Sequence, residues 1–286
     1  MAEYCADGRF RVTRVGPWGA VEHYAPKVGK LLTINEYDSS RFSYDKNHWG
    51  FGVLQIVAAN IDAATAAGFA AANLIIGISP IGWSQAVDQA LSKGVTQFYI
   101  DEPYGQEAYY RDARNYIYAR GGVLTSSDWD TQWGTLCLPS GFPRLQNLKN
   151  LAREVAPYQN IGCNSSFEDS ACGVDDPRNQ WTWLKNNSGG LFNFAWIKTR
   201  EPVDRMNLLF GHANNIGLSK LRIYVEDSYG LPDRRVDVLC DTAWRNGWLR
   251  KFVKEIRQTW CCTTQTYDPE TCYLESMTET GNVVEV

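Results

Sequence analysis

The feature that most constrains this chain is the regular alternation of short apolar, strand-like runs with helix-like segments. "RFRVTRVG" (9–16), "KLLTINEY" (30–37), "AANLIIGIS" (71–79), "TQFYIDEP" (96–103), "VLTSSDWD" (123–130), "NIGCNSSF" (160–167), "GLFNFAWIKT" (190–199) and "KLRIYVEDS" (220–228) read as strands. Helices are predicted over 49–69, 82–94, 105–122, 143–158, 178–187, 203–218 and 234–260. Repeated strand–helix units call for parallel strands joined by right-handed crossovers. Most of these runs are apolar at consecutive positions, as strands buried on both faces are. Eight such units within 286 residues match the size of a (β/α)8 TIM barrel, an α/β fold. No GxGxxG or Walker-type loop follows any strand, which counts against an open, doubly wound nucleotide-binding sheet. The expected organisation is a barrel domain over 1–260 and a short Cys-containing C-terminal extension over 261–286, packed on the barrel or exposed. The first unit fits least well, because "PWGAVEHYAPKVG" carries Pro17 and Pro26 where a crossover helix should lie.

Charge and cysteine content limit the partners. A net charge of −4 gives no basic footprint for nucleic acid. The most apolar stretch, "GFAAANLIIGI", is too short and too interrupted to insert in a membrane. Eight cysteines without a CxxC pair, and three scattered histidines, read as disulfides rather than as a metal site. Disulfides imply an oxidising compartment, so the chain is expected to be extracellular or secreted, its amino terminus following a removed signal. The sequons at Asn164 and Asn186 agree with that placement. No cofactor is expected. His212, among apolar residues of a helix, reads as a packed structural histidine.

Active sites of such barrels lie at the C-terminal ends of the strands. Here the strand ends deliver acids: Glu36 and Asp38, Asp101 and Glu102, Asp128 and Asp130, Glu168 and Asp169, Glu226 and Asp227. Aromatic residues accompany them, among them Tyr104, Trp129 and Trp196. Carboxylates beside aromatic faces suit sugars, whose apolar ring faces stack while their hydroxyls bind oxygen acceptors. Cleaving a glycosidic bond needs two carboxyl groups, one protonated and one ionised. Glu102 suits the general-acid role: it ends a buried strand, precedes Pro103 and neighbours Asp101. Glu226 is the first choice of partner. Asp101, Tyr104, Glu36, Asp128, Trp129, Trp196 and Asp227 are the expected carbohydrate-binding residues.

"YIDEPYG" resembles the "NEP" signature that ends the fourth strand of clan-A glycoside hydrolases, retaining (β/α)8 enzymes. The resemblance implies that Glu102 is the acid/base and that Asp101 stands where the family carries Asn. It also implies a nucleophilic Glu at the end of the seventh strand, where "LFNFAWIKT" ends instead in Lys198 and Thr199. A strand count displaced by one would make Glu226 that residue. The alternative role is a non-catalytic secreted barrel that binds glycans or self-associates.

Overall fold

The computed structural model describes residues 2–18, 21–100, 107–127, 161–164, 178, 181–182, 185–186, 192–199, 201–225 and 235–286. In chain order its strands and α-helices are β1 (Phe10–Gly16), β2 (Val21–Pro26), β3 (Leu31–Asn35), α1 (Phe42–Asn47), β4 (Val53–Ile56), α2 (Ile61–Ala66), β5 (Leu74–Ile78), α3 (Trp83–Ser92), β6 (Gln97–Ile100), α4 (Glu107–Tyr118), β7 (Val123–Ser127), β8 (Ile161–Asn164), β9 (Phe192–Lys198), α5 (Val203–Asn215), β10 (Lys220–Tyr224), α6 (Arg235–Arg245), β11 (Leu249–Cys262) and β12 (Cys272–Glu285). Two units result: Pro26–Leu249, and Met1–Ala25 together with Arg250–Val286.

In the larger unit the strands close into a parallel barrel in the order β10-β3-β4-β5-β6-β7-β8-β9. Successive residues of a strand point to opposite faces, and the two sets differ sharply in composition. Leu32, Ile34, Leu54, Ile56, Leu74, Ile76, Phe98, Ile100, Ala195, Ile197, Leu221 and Ile223 form one set, all buried. They make the outer layer, which the helices cover with residues at i, i+3 and i+4 spacing: Tyr110, Ala113 and Ile117 of α4, and Met206, Leu209, Phe210 and Ala213 of α5. The other set faces the barrel interior and is polar and aromatic: Thr33, Asn35, Gln55, Tyr99, Trp196 and Arg222, with Ile75 and Phe194. At the opposite, N-terminal end of β3, Lys30 Nζ donates to the Leu218 carbonyl (2.9 Å) and lies 4.1 Å from the centre of the Trp248 ring. Partial burial, with Lys27 nearby, lowers the Lys30 pKa.

The barrel is thus the expected one, but three of the expected elements differ. The run at 9–16 is no barrel strand: β1 pairs antiparallel with β11, from Phe10↔Cys262 to Gly16↔Ile256. The missing barrel strand is β4, inside the stretch predicted to be helical over 49–69. Gly50 and Gly52 disfavour a helix there, and Gly50 adopts a left-handed φ of 69°. The predicted helix over 234–260 stops at Arg245. Gly247, at φ 73°, takes the left-handed conformation that closes a helix, and the chain continues as β11.

The smaller unit is an antiparallel sheet in the order β1-β11-β12, with β2 also paired to β11. The sequence boundary at 260/261 therefore falls inside β11, and the N-terminal strand joins the C-terminal residues in one sheet. Disulfides Cys5–Cys261 and Cys262–Cys272 tie the adjacent cysteines of β11 to two different segments. These two bridges point to a non-reducing environment. A bidentate pair between Arg11 and Glu275 spans one face of the sheet, with both nitrogens 3.0 Å from their oxygens. Among the described residues, no helix is long and apolar enough to cross a membrane.

Candidate functional site

At the C-terminal mouth of the barrel the inward-facing residues enclose a cavity of about 220 Å³. β3 contributes Asn35, followed by Tyr37; β4 contributes Gln55; β5 contributes Gly77, followed by Ser79; β6, β9 and β10 contribute Tyr99, Trp196 and Tyr224. β5 carries no side chain at its last inward position, Gly77, which leaves room beside Tyr99 of the neighbouring β6. Trp196 stands between Tyr99 and Tyr224, edge-on to both, with ring centroids 5.5 Å and 5.3 Å away. Such edge-to-face packing fixes the indole and adds about 0.5–1.5 kcal/mol per pair beyond area burial.

The polar groups of this mouth are held from behind. Arg222, buried inside the barrel, extends from β10 to donate to Gln55 Oε1 on β4 (2.7 Å) and to Thr125 Oγ1 on β7 (3.3 Å). Its guanidinium lies 4.0 Å from the centre of the Phe194 ring and 4.8 Å from that of Tyr99. Asn35 Nδ2 donates to the Tyr37 hydroxyl (3.3 Å). Among the described residues, Asn35 Oδ1 and Trp196 Nε1 are buried without a hydrogen-bond partner. Leaving such an atom unmatched costs about 1–3 kcal/mol, so each calls for a partner that the described residues do not supply.

Of the residues expected from sequence, two are described. Trp196 is in the cavity wall, only 1% exposed, so it presents an edge rather than an open stacking platform. Glu36 is buried, and its Oε1 accepts from the Asp38 amide (2.8 Å); it does not line the cavity. Asp38 in turn caps the following turn by accepting from Ser40 N (3.0 Å). Asp101, Glu102, Tyr104, Asp128, Trp129, Glu226 and Asp227 lie outside the described residues.

The topology does settle the strand count: from β3, β6 is the fourth barrel strand, β9 the seventh and β10 the eighth. The "DEP" run therefore follows the fourth strand as the resemblance requires. Glu226 follows the eighth strand, so the displaced count that would have put it after the seventh does not hold. The seventh ends in buried Lys198 and Thr199, and the first acid beyond them is Glu201, also buried. Asn35, Gln55, Tyr99 and Arg222 escaped the sequence reading, although Gln55 and Arg222 left a signal, a polar residue set inside an apolar strand run, as in "VLQI" and "KLRIY".

His212 of α5 is half-buried and shares a 3.0 Å hydrogen bond between its Nε2 and Thr182 Oγ1. Among the described residues, one group of potential metal donors comes together, Cys5, Cys261 and Glu275. Its two sulfurs are already joined as a disulfide, leaving a single carboxylate.

No protein-family model matches the chain, and no curated protein matches it in sequence. Solved structures do resemble it. A GH18 chitinase from Pseudoalteromonas aurantia superposes with a TM-score of 0.50 at 9% identity, covering 75% of this chain and 99% of the chitinase. A sugar phosphate isomerase/epimerase from Parabacteroides distasonis gives 0.48 at 12% identity, covering 81% of this chain and 98% of that one. The 3-dehydroquinate dehydratase from Aquifex aeolicus gives 0.47 at 12% identity, with coverages of 75% and 98%. The likeness is one of fold. One fold serves many activities, so function has to be argued from the site.

Proposed function

We propose that the barrel mouth binds a carbohydrate and that the protein is a secreted glycoside hydrolase-like barrel, with Glu102 as general acid and Glu226 as the second carboxylate. One observation carries the binding part: a cavity of about 220 Å³ with aromatic walls and with buried polar atoms that are unmatched among the described residues. Pockets for drug-sized ligands run to about 300–1,000 Å³, so this cavity suits a smaller body such as a single sugar ring. Tyr99, Trp196 and Tyr224 supply apolar aromatic walls, and Asn35 and Gln55 offer hydrogen bonds to hydroxyls. The "DEP" run after the fourth barrel strand supports Glu102 as the acid. The disulfides support the extracellular placement.

Turnover of a panel of oligo- and polysaccharides tests the catalytic part. Loss of a general acid removes about 10²–10⁴-fold of rate. Glu102→Gln should lose activity on that scale, and unchanged turnover would remove Glu102 from the mechanism. A second reading, glycan binding without cleavage, is favoured by one feature: the seventh strand ends in Lys198 and Thr199 where the glycosidase resemblance requires Glu. Wild-type protein that binds a saccharide of the panel and releases no product would decide for it.

A further inference from the structure

Asn35 of β3 and Gln55 of β4 are register partners in the parallel barrel, so their side chains stand next to each other on its inner face. Each is held by one end of its amide. Arg222 Nη1 donates to Gln55 Oε1 (2.7 Å), and Asn35 Nδ2 donates to the Tyr37 hydroxyl (3.3 Å). The first contact is charge-assisted and fixes which end of the Gln55 amide is oxygen, because a guanidinium only donates. What remains is a matched set: Gln55 Nε2 as a donor with no partner among the described residues, and Asn35 Oδ1 as a buried acceptor with none. Both residues line the mouth cavity.

We propose that Asn35 and Gln55 form a hydroxyl-reading pair, and that Arg222 is the positioning residue that sets it. A ligand hydroxyl accepts from Gln55 Nε2 through its oxygen and donates its proton to Asn35 Oδ1. A hydroxyl is the small group that supplies an acceptor and a donor on one atom. An ether or fluorine there lacks the proton, and a carboxylate meets the Asn35 oxygen as a second acceptor. The pair therefore selects one hydroxyl of the sugar ring over its deoxy counterpart, since a site built to bond a hydroxyl is left with unpaired polar atoms when it is missing. This inference rests on the carbohydrate reading of the cavity and specifies what that cavity recognises.

The test is calorimetric titration of the wild-type chain with the methyl glycosides of glucose, galactose, mannose, xylose and N-acetylglucosamine, then with the monodeoxy analogues of whichever binds. One deoxy position should weaken binding about tenfold or more. Gln55→Glu, which replaces the donor by an acceptor while keeping a partner for Arg222, should weaken the parent glycoside by a similar factor yet leave that deoxy analogue little further affected. Gln55→Met serves in its place if the acid does not fold. The positioning role has its own readout: the Gln55 side-chain amide signal, identified as the NH2 pair absent from the variant, should shift on titration in the wild type and lose that response in Arg222→Met. Deoxy losses that are equal in wild type and variant, or an amide signal that ignores the sugar, would overturn the pair while leaving saccharide binding intact. Absence of binding by every glycoside would overturn both readings.

Discussion

Removing the Arg222 contact to Gln55 should reveal how far this barrel depends on a polar interior. Arg222 is 5% exposed and Gln55 is 3% exposed, and their 2.7 Å hydrogen bond joins β10 to β4 past the intervening β3 on the inner face of the barrel. A hydrogen bond to a charged group contributes about 1.5–3 kcal/mol, and truncating one partner leaves the other unmatched at a cost of about 1–3 kcal/mol. Arg222→Ala also deletes the alkyl stem and the guanidinium that packs on Phe194, Tyr99 and Trp196, and large-to-small core changes cost about 2–5 kcal/mol. The terms overlap, so the single variant should lose about 3–5 kcal/mol. The cleaner quantity is the coupling. In a cycle with Gln55→Leu, the non-additive part isolates the pair and should come to about 1.5–3 kcal/mol. Urea unfolding at fixed pH, with m unchanged across the four proteins, reads it out. A coupling under about 0.5 kcal/mol would refute the argument that this bond fixes the inner wall of the mouth.

The two bridges of the sheet should differ in their effect on stability. In the chain-entropy picture the Cys5–Cys261 bridge, with a sequence separation of 256, removes about 5–6 kcal/mol of unfolded-state freedom, and Cys262–Cys272, with a separation of 10, about 3 kcal/mol. Thermal unfolding of Cys5→Ser against Cys272→Ser should rank them so; the reverse order would show that native-state strain or residual denatured structure dominates. On the same sheet, the Tyr273 hydroxyl donates to Asp7 Oδ2 (2.7 Å), which holds the Asp7 carboxyl below its ordinary value and raises the phenol. A depressed carboxyl contributes stability that is present above its unfolded pKa and is lost as pH falls through the folded one. Tyr273→Phe should therefore move the Asp7 titration upward in an NMR pH series, and an unmoved titration would show that the hydroxyl is not the cause.

The architecture was legible because strands buried on both faces leave long apolar runs, and "LLTIN", "LIIGI" and "FNFAWIK" announce themselves. The count of eight nevertheless came out right through two errors that cancel. β4 is four residues long and runs into an Ala-rich segment whose composition favours helix, so it was absorbed there. β1 was counted instead, although Phe10, Val12 and Arg14 alternate with the more exposed Arg11, Thr13 and Val15, the half-buried pattern of an antiparallel strand. β11 misled for a related reason: Phe252, Val253, Ile256 and Trp260 fall at helical spacing, and pairing on both sides with β1 and β12 overrides it. In the mouth, attention to the acids beyond the strand ends and to the aromatics beside them found Trp196 but passed over Gln55 and Arg222. Their role depends on closure of the barrel, which brings β4, β7 and β10 together across its interior, and no local pattern encodes that.

The most direct measurement is a crystal structure of the protein grown with a saccharide that binds it in solution. The account predicts a single sugar ring in the mouth cavity, against Tyr99, Trp196 and Tyr224 and within hydrogen-bonding distance of Asn35 and Gln55, with the Glu102 carboxyl facing its glycosidic oxygen. A saccharide bound elsewhere, with this cavity left to water, would contradict it.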